Sequence, residues 1–115
     1  MIRGIGIDMV DVGRFRKALD RWGDRLGKRV FTESELSYCY RQRFPERHLA
    51  ARFAAKVSLF KALGRFIRFK DVEVTRGPGG PGFKVKGLEE DINLSVTITH
   101  DRNLSVAETI VERCE

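Results

Sequence analysis

Pro45-Glu46-Arg47-His48-Leu49-Ala50-Ala51-Arg52-Phe53-Ala54-Ala55-Lys56-Val57-Ser58-Leu59-Phe60-Lys61-Ala62-Leu63-Gly64 is the stretch on which the architecture turns. Pro45 stands where a first helical residue needs no amide hydrogen, and Gly64 stands where a chain leaving a helix adopts a left-handed cap. Between them Leu49, Phe53, Val57, Phe60 and Leu63 recur at three- and four-residue steps, which predicts one long helix with an apolar stripe. At about 100° per residue, Lys56 projects into the middle of that stripe and Arg52 onto its edge. Two cations there need a physical reason.

Upstream, Ile2 to Val10 predicts a buried strand with Ile5 and Ile7 on one side and Gly4, Gly6 and Asp8 on the other. Asp8 closes a glycine-lined face. Val12, Phe15, Leu19 and Trp22 then mark a short amphipathic helix whose wetter sides carry Arg14, Arg16, Lys17 and Arg21. Phe31-Thr32-Glu33-Ser34-Glu35-Leu36 has the form of a capping box, in which Thr32 caps the Glu35 amide and Glu35 reaches back. Another helix starts there.

Downstream the period changes. Phe66 to Thr75 alternates, Gly77 to Gly82 supplies turn residues, and Phe83 to Lys86 alternates again, predicting a hairpin with a long loop. Ile92 to Thr99 and Leu104 to Val111 predict two strands around a four-residue turn, His100-Asp101-Arg102-Asn103. A strand, then helices, then strands is an α+β order. Gly77-Pro78-Gly79-Gly80-Pro81-Gly82 lacks the Lys-Ser/Thr ending and the following helix of a phosphate-binding loop, so it reads as a turn.

The 115 residues suit a single domain, 1–115, without a repeat, low-complexity tract or linker. A hydrophobic share of 42% with 33% charged residues excludes a disordered chain. Apolar runs fall far short of the roughly 18 residues of a membrane span, and Asp8, Asp11 and Arg14 interrupt any signal-peptide core. A cytoplasmic protein without a membrane partner is expected. Cys39 and Cys114 have neither metal spacing nor a disulfide framework, and read as free thiols. The net charge of +6 favours a polyanionic partner: nucleic acid, a nucleotide cofactor or an acidic protein. Basic and aromatic residues do not interleave as in single-strand binders, which argues against nucleic acid.

Three blocks together resemble the holo-acyl-carrier-protein synthases, the small bacterial type of phosphopantetheinyl transferase: Gly4-Ile5-Gly6-Ile7-Asp8, then Arg52-Phe53-Ala54-Ala55-Lys56 with Lys61-Ala62-Leu63-Gly64, and Thr97-Ile98-Thr99-His100. Their order and spacing, the capping segment and the overall length make the match specific. The resemblance implies transfer of 4'-phosphopantetheine from coenzyme A to a serine of apo acyl carrier protein, releasing adenosine 3',5'-bisphosphate. It also implies an antiparallel sheet around the long helix and a homotrimer with sites between subunits. Asp8 would be the magnesium ligand, a hard cation being held by one or two carboxylates plus substrate phosphates. Lys61 would neutralise the pyrophosphate, with Lys56 and Arg52 near the nucleotide and His100 in the coenzyme pocket. Asp8, Lys61 and His100 are then the catalytic set. Arg14 would meet acidic residues of the carrier protein. Without a ligand, Lys56 would snorkel over apolar neighbours, and Arg14 would belong to a solvated helix face.

Two departures from the family pattern stand out. Val57 occupies the position of a second metal carboxylate, and Gly64 runs straight into Arg65-Phe66 without the family's glycine-threonine-glycine loop. They favour, as the alternative, a weakened or inactive paralog that binds coenzyme A or carrier protein. A basic nucleic-acid-binding domain is a third and weaker alternative. The resemblance implies a carrier of fatty acid or of polyketide synthesis.

Overall fold

The computed structural model describes residues 1–114. Strand β1 (Ile2–Asp11) leads into helices α1 (Val12–Trp22), α2 (Asp24–Val30), α3 (Glu33–Tyr40) and α4 (Pro45–Leu63). A 3-10 turn (Phe69–Asp71) precedes strands β2 (Val72–Gly77), β3 (Gly80–Val85), β4 (Ile92–His100) and β5 (Leu104–Arg113). The α+β order is as expected, with the antiparallel strands divided into a three-stranded sheet β1-β5-β4 and a ribbon β2-β3. No helix among the described residues is long and apolar enough to cross a membrane.

Helix α4 is the centre. Pro45 opens it, and Gly64 closes it at φ 71 with its amide on the Phe60 carbonyl, the ends that the sequence marks. The predicted stripe is not its deepest face. Ala50, Ala54, Ala55, Ser58 and Leu59 are fully buried, whereas of the predicted stripe Leu49 is fully buried and Phe53, Val57, Phe60 and Leu63 are only half-buried. The reason lies in β1. A Cβ added at Gly6 would lie 2.0 Å from the Ser58 carbonyl oxygen, and one at Gly4 would lie 1.9 Å from that of Ala62. Glycine on the strand and small residues on the helix let the two backbones touch. The Ser58 and Thr109 hydroxyls share a 2.7 Å hydrogen bond that ties α4 to β5 at the same contact.

The other side of β1 corrects the expectation of a buried strand. Ile5, Ile7 and Met9 are 59%, 56% and 64% exposed, because α4 covers one face of the sheet and nothing among the described residues covers the other. Trp22, placed on the apolar side of α1 by its spacing, is also exposed, and only Val12 and Phe15 of that helix are buried.

The capping box forms as written. Thr32 Oγ1 accepts from the Glu35 amide, and Glu35 Oε1 accepts from the Thr32 amide. Two strand readings need correction. The segment from Phe66 to Asp71 is loop and 3-10 turn, since Phe66 and Phe69 pack with Phe60 in an aromatic cluster and the strand starts only at Val72. The hairpin loop is short: Gly77 pairs with Gly80, so Gly80 to Gly82 lie within β3. His100 ends β4, paired with Ser105, and the turn is closed by Asp101 Oδ1 accepting from the Asn103 and Leu104 amides.

Candidate functional site

Antiparallel register carries Asp8 to the helix side of β1, two residues beyond Gly6, where the close approach of α4 brings Lys61 alongside. Lys61 Nζ donates to the Ile7 carbonyl at 3.0 Å and to Asp8 Oδ1 at 3.3 Å. Its side chain is 54% exposed and that of Asp8 17%, so the pair lies at the surface with the carboxylate partly sheltered. An ammonium has three hydrogens, and these bonds leave one for an anion. Val57 stands one turn before Lys61 on the same stripe of α4, half-buried.

Toward the opposite end of α4, nine residues and about 13 Å away along the helix, a second cationic site forms. Tyr38, His48, Arg52, Arg76 and His100 line a cleft of about 320 Å³. The Arg52 and Arg76 guanidinium carbons lie 4.7 and 4.5 Å from the centre of the Tyr38 ring. The His48 and His100 rings meet edge to face, 5.7 Å apart. Burial, and then the charges of His100, Arg52, Arg76 and Arg47, hold His48 below the ordinary imidazole value. That accumulation of positive charge suits an anion, whose arrival would push His48 back up. Arg52 donates from Nη1 to the His48 carbonyl at 3.3 Å, but its Nε, buried, has no partner among the described residues. A buried unpaired donor beside a cationic cleft is an opening for a phosphate oxygen.

Lys56 belongs to neither site, and its expected place on a phosphate is corrected. It is fully buried, and its three hydrogens go to the Val30 carbonyl (2.8 Å), Glu35 Oε1 (2.7 Å) and the Phe69 carbonyl (3.1 Å). Burial lowers its pKa, while Glu35 acts in the opposite direction. Glu35 Oε2 accepts from the Val74 amide as well, so the pair joins α3, α4, the 3-10 turn and β2. Arg14 is exposed on α1, its amide capped by Asp11 Oδ1. It lies six residues past Asp8, on the basic helix that leaves the same strand.

Thus the structure brings Asp8 to Lys61 and Arg52 to His100, and withdraws Lys56. His48, Arg76 and Tyr38 escaped the sequence reading. His48 precedes Arg52 by one helical turn and was findable on that spacing; Arg76 and Tyr38 reach the cleft only through the packing of β2 and α3 on α4. Among the described residues no group of three or more His, Cys, Asp or Glu side chains is placed to hold a metal.

The sequence model of the 4'-phosphopantetheinyl transferase superfamily matches residues 4–109. A holo-[acyl-carrier-protein] synthase of Thermodesulfovibrio yellowstonii is 38% identical over 114 residues, covering 96% of this chain and 99% of that protein. One from Geobacter metallireducens is 40% identical over 125 residues, covering 98% and 99%. Among solved structures, the holo-(acyl-carrier-protein) synthase of Bacillus anthracis in complex with CoA (3',5'-ADP) superposes with a TM-score of 0.85 at 28% identity, covering 100% of this chain and 99% of that one. The Helicobacter pylori enzyme in complex with coenzyme A does so at 0.82 and 28%, covering 94% and 99%.

Proposed function

The chain belongs to the 4'-phosphopantetheinyl transferase superfamily, among the holo-[acyl-carrier-protein] synthases, and from that premise we propose that Asp8 and Lys61 form the reaction centre at which 4'-phosphopantetheine passes from coenzyme A to a serine of apo acyl carrier protein. The observation that carries this assignment is the convergence of the Asp8 carboxylate on β1 and the Lys61 ammonium on α4. The cleft of Arg52, Arg76, His48 and His100 takes a nucleotide phosphate, in the same copy or across two adjacent copies. The unpartnered Arg52 Nε supports this.

In the transfer, the carrier's serine oxygen forms a bond to the pantetheine-bearing phosphorus. The bond from that phosphorus to the bridging oxygen breaks, the serine proton passes to water, and adenosine 3',5'-bisphosphate departs. Lys61 stabilises charge growing on the leaving phosphate, and its exposed stem lets it follow that oxygen. His100, at a strand end beside Arg52, binds and orients the coenzyme. Arg14 and its basic neighbours on α1 steer an acidic carrier toward the strand that bears Asp8. Lys56 acts only by fixing α4 against α3 and the 3-10 turn.

Magnesium fits this donor set on one condition. Among the described residues Asp8 is the carboxylate paired with Lys61, through Oδ1, and no group of three or more metal-binding side chains gathers there, so an ion needs phosphate oxygens and water to complete its shell. Asp8 would hold it, and the ion would supply positive charge against the diphosphate.

The reading extends to assembly and setting. Ile5, Ile7 and Met9, with Val106 and Ile110 on the same face by register, make an exposed apolar surface suited to contact between copies in a homotrimer. The two free cysteines fit a cytoplasmic, reducing setting, and residues 1–115 act as one transferase domain in lipid metabolism, as in fatty acid synthesis. Val57 favours a second reading, a module that binds coenzyme A or carrier without transfer. Incubation with apo carrier, coenzyme A and magnesium, followed by intact mass, separates them. Addition of one phosphopantetheine is expected, slowed by about a hundredfold or more in Lys61→Ala; coenzyme binding with no mass gain overturns the transferase.

A further inference from the structure

The Lys61 site contains an ammonium where a resident metal would need carboxylates. Asp8 supplies one carboxylate, Oδ1 of which is bonded to Lys61 Nζ at 3.3 Å, and the neighbouring position on α4 is Val57, which has no donor atom. A single carboxylate paired with an ammonium does not outcompete water for magnesium, an ion that gives up its hydration reluctantly. The Lys61 contact is long and its side chain half-exposed, so a better anion can draw it away. A diphosphate is such an anion. Once Lys61 turns to a phosphate oxygen, Asp8 is released, and the same phosphate presents further oxygens beside it.

From this we infer that the free protein holds no divalent ion at Asp8, and that the ion and coenzyme bind only as a mutually dependent pair, with Lys61 as the built-in cation of the empty site and Val57 as the residue that enforces the dependence. The inference rests on the transferase reading of the site. Linkage makes the coupling reciprocal: the factor by which coenzyme A tightens the ion equals the factor by which the ion tightens coenzyme A.

Manganese is the probe. Its free electron paramagnetic resonance signal is titrated against the protein alone, coenzyme A alone and both together, and coenzyme affinity is measured by calorimetry with manganese and with chelator. The expected result is no manganese uptake by the protein alone at micromolar concentrations. With coenzyme A, uptake should exceed that of the coenzyme by itself, with about a tenfold or larger gain in coenzyme affinity that disappears in Asp8→Ala. Val57→Glu should take up manganese without coenzyme, at least about tenfold more tightly than the parent. If Val57→Glu does not fold, as circular dichroism would reveal, the parent and Asp8→Ala arms decide alone. Stoichiometric manganese on the parent protein alone, or coenzyme affinity indifferent to the ion, overturns the inference and leaves the transferase standing. Failure to bind coenzyme A with or without manganese overturns both.

Discussion

Inside the protein the Lys56 ammonium gives its three hydrogens to the Val30 and Phe69 carbonyls and to Glu35, whose other oxygen holds the Val74 amide. Removing one member of so deeply buried a pair leaves the other charge without compensation, at a cost of about 3–5 kcal/mol. Lys56→Met should therefore lose about that much stability in urea unfolding; a loss below about 1 kcal/mol would show that Glu35 finds another partner. The sequence marks Lys56 as an anomaly, a cation in an apolar stripe, but not the cause. Its partner lies 21 residues upstream, in a capping box whose local role was already complete. Asp8 and Lys61 are legible because β1 and the C-terminal half of α4 carry family motifs. Arg76 and Tyr38 lie outside those motifs and join the cleft only through packing.

Between elements the governing contact is β1 on α4. Side chains would hold a strand farther from a helix; here Gly4 and Gly6 face Ser58 and Ala62, and the backbones meet. Gly6→Ala puts a methyl group 2.0 Å from the Ser58 carbonyl oxygen, against rigid backbone on both sides. Overpacking of this kind costs about 1–3 kcal/mol. A lower melting temperature is expected, together with weaker coenzyme A binding, because β1 moves away and carries Asp8 from Lys61. Unchanged binding would mean that the pair does not depend on the close approach. Helix ends were readable because Pro45, Thr32 and Gly64 act locally. The start of β2 was not, because Phe66 and Phe69 alternate like strand residues yet are held by rings on α4.

At the scale of the whole molecule, one face of the β1-β5-β4 sheet has no cover among the described residues. Ile5, Ile7 and Met9 are each more than half exposed there, and Glu108 lies across from Ile7 on the same face. Ile7→Lys should convert a trimer to monomer in light scattering at micromolar concentration while leaving the circular dichroism spectrum intact; a parent protein that is already monomeric removes the assembly from the proposal. The sequence by itself determined the helix termini, the capping box, the α+β order, the glycine face of β1 and the family, since each depends on residue type at short spacing or on motifs in fixed order. The tertiary structure alone decided that Lys56 is a buried ion-pair partner, that the small-residue side of α4 is its deepest, that β1 leaves an apolar face open, and that Arg76 and Tyr38 join the histidine cleft. Those outcomes depend on which distant surfaces come within a few ångströms, and periodicity along one segment carries no record of what packs against it.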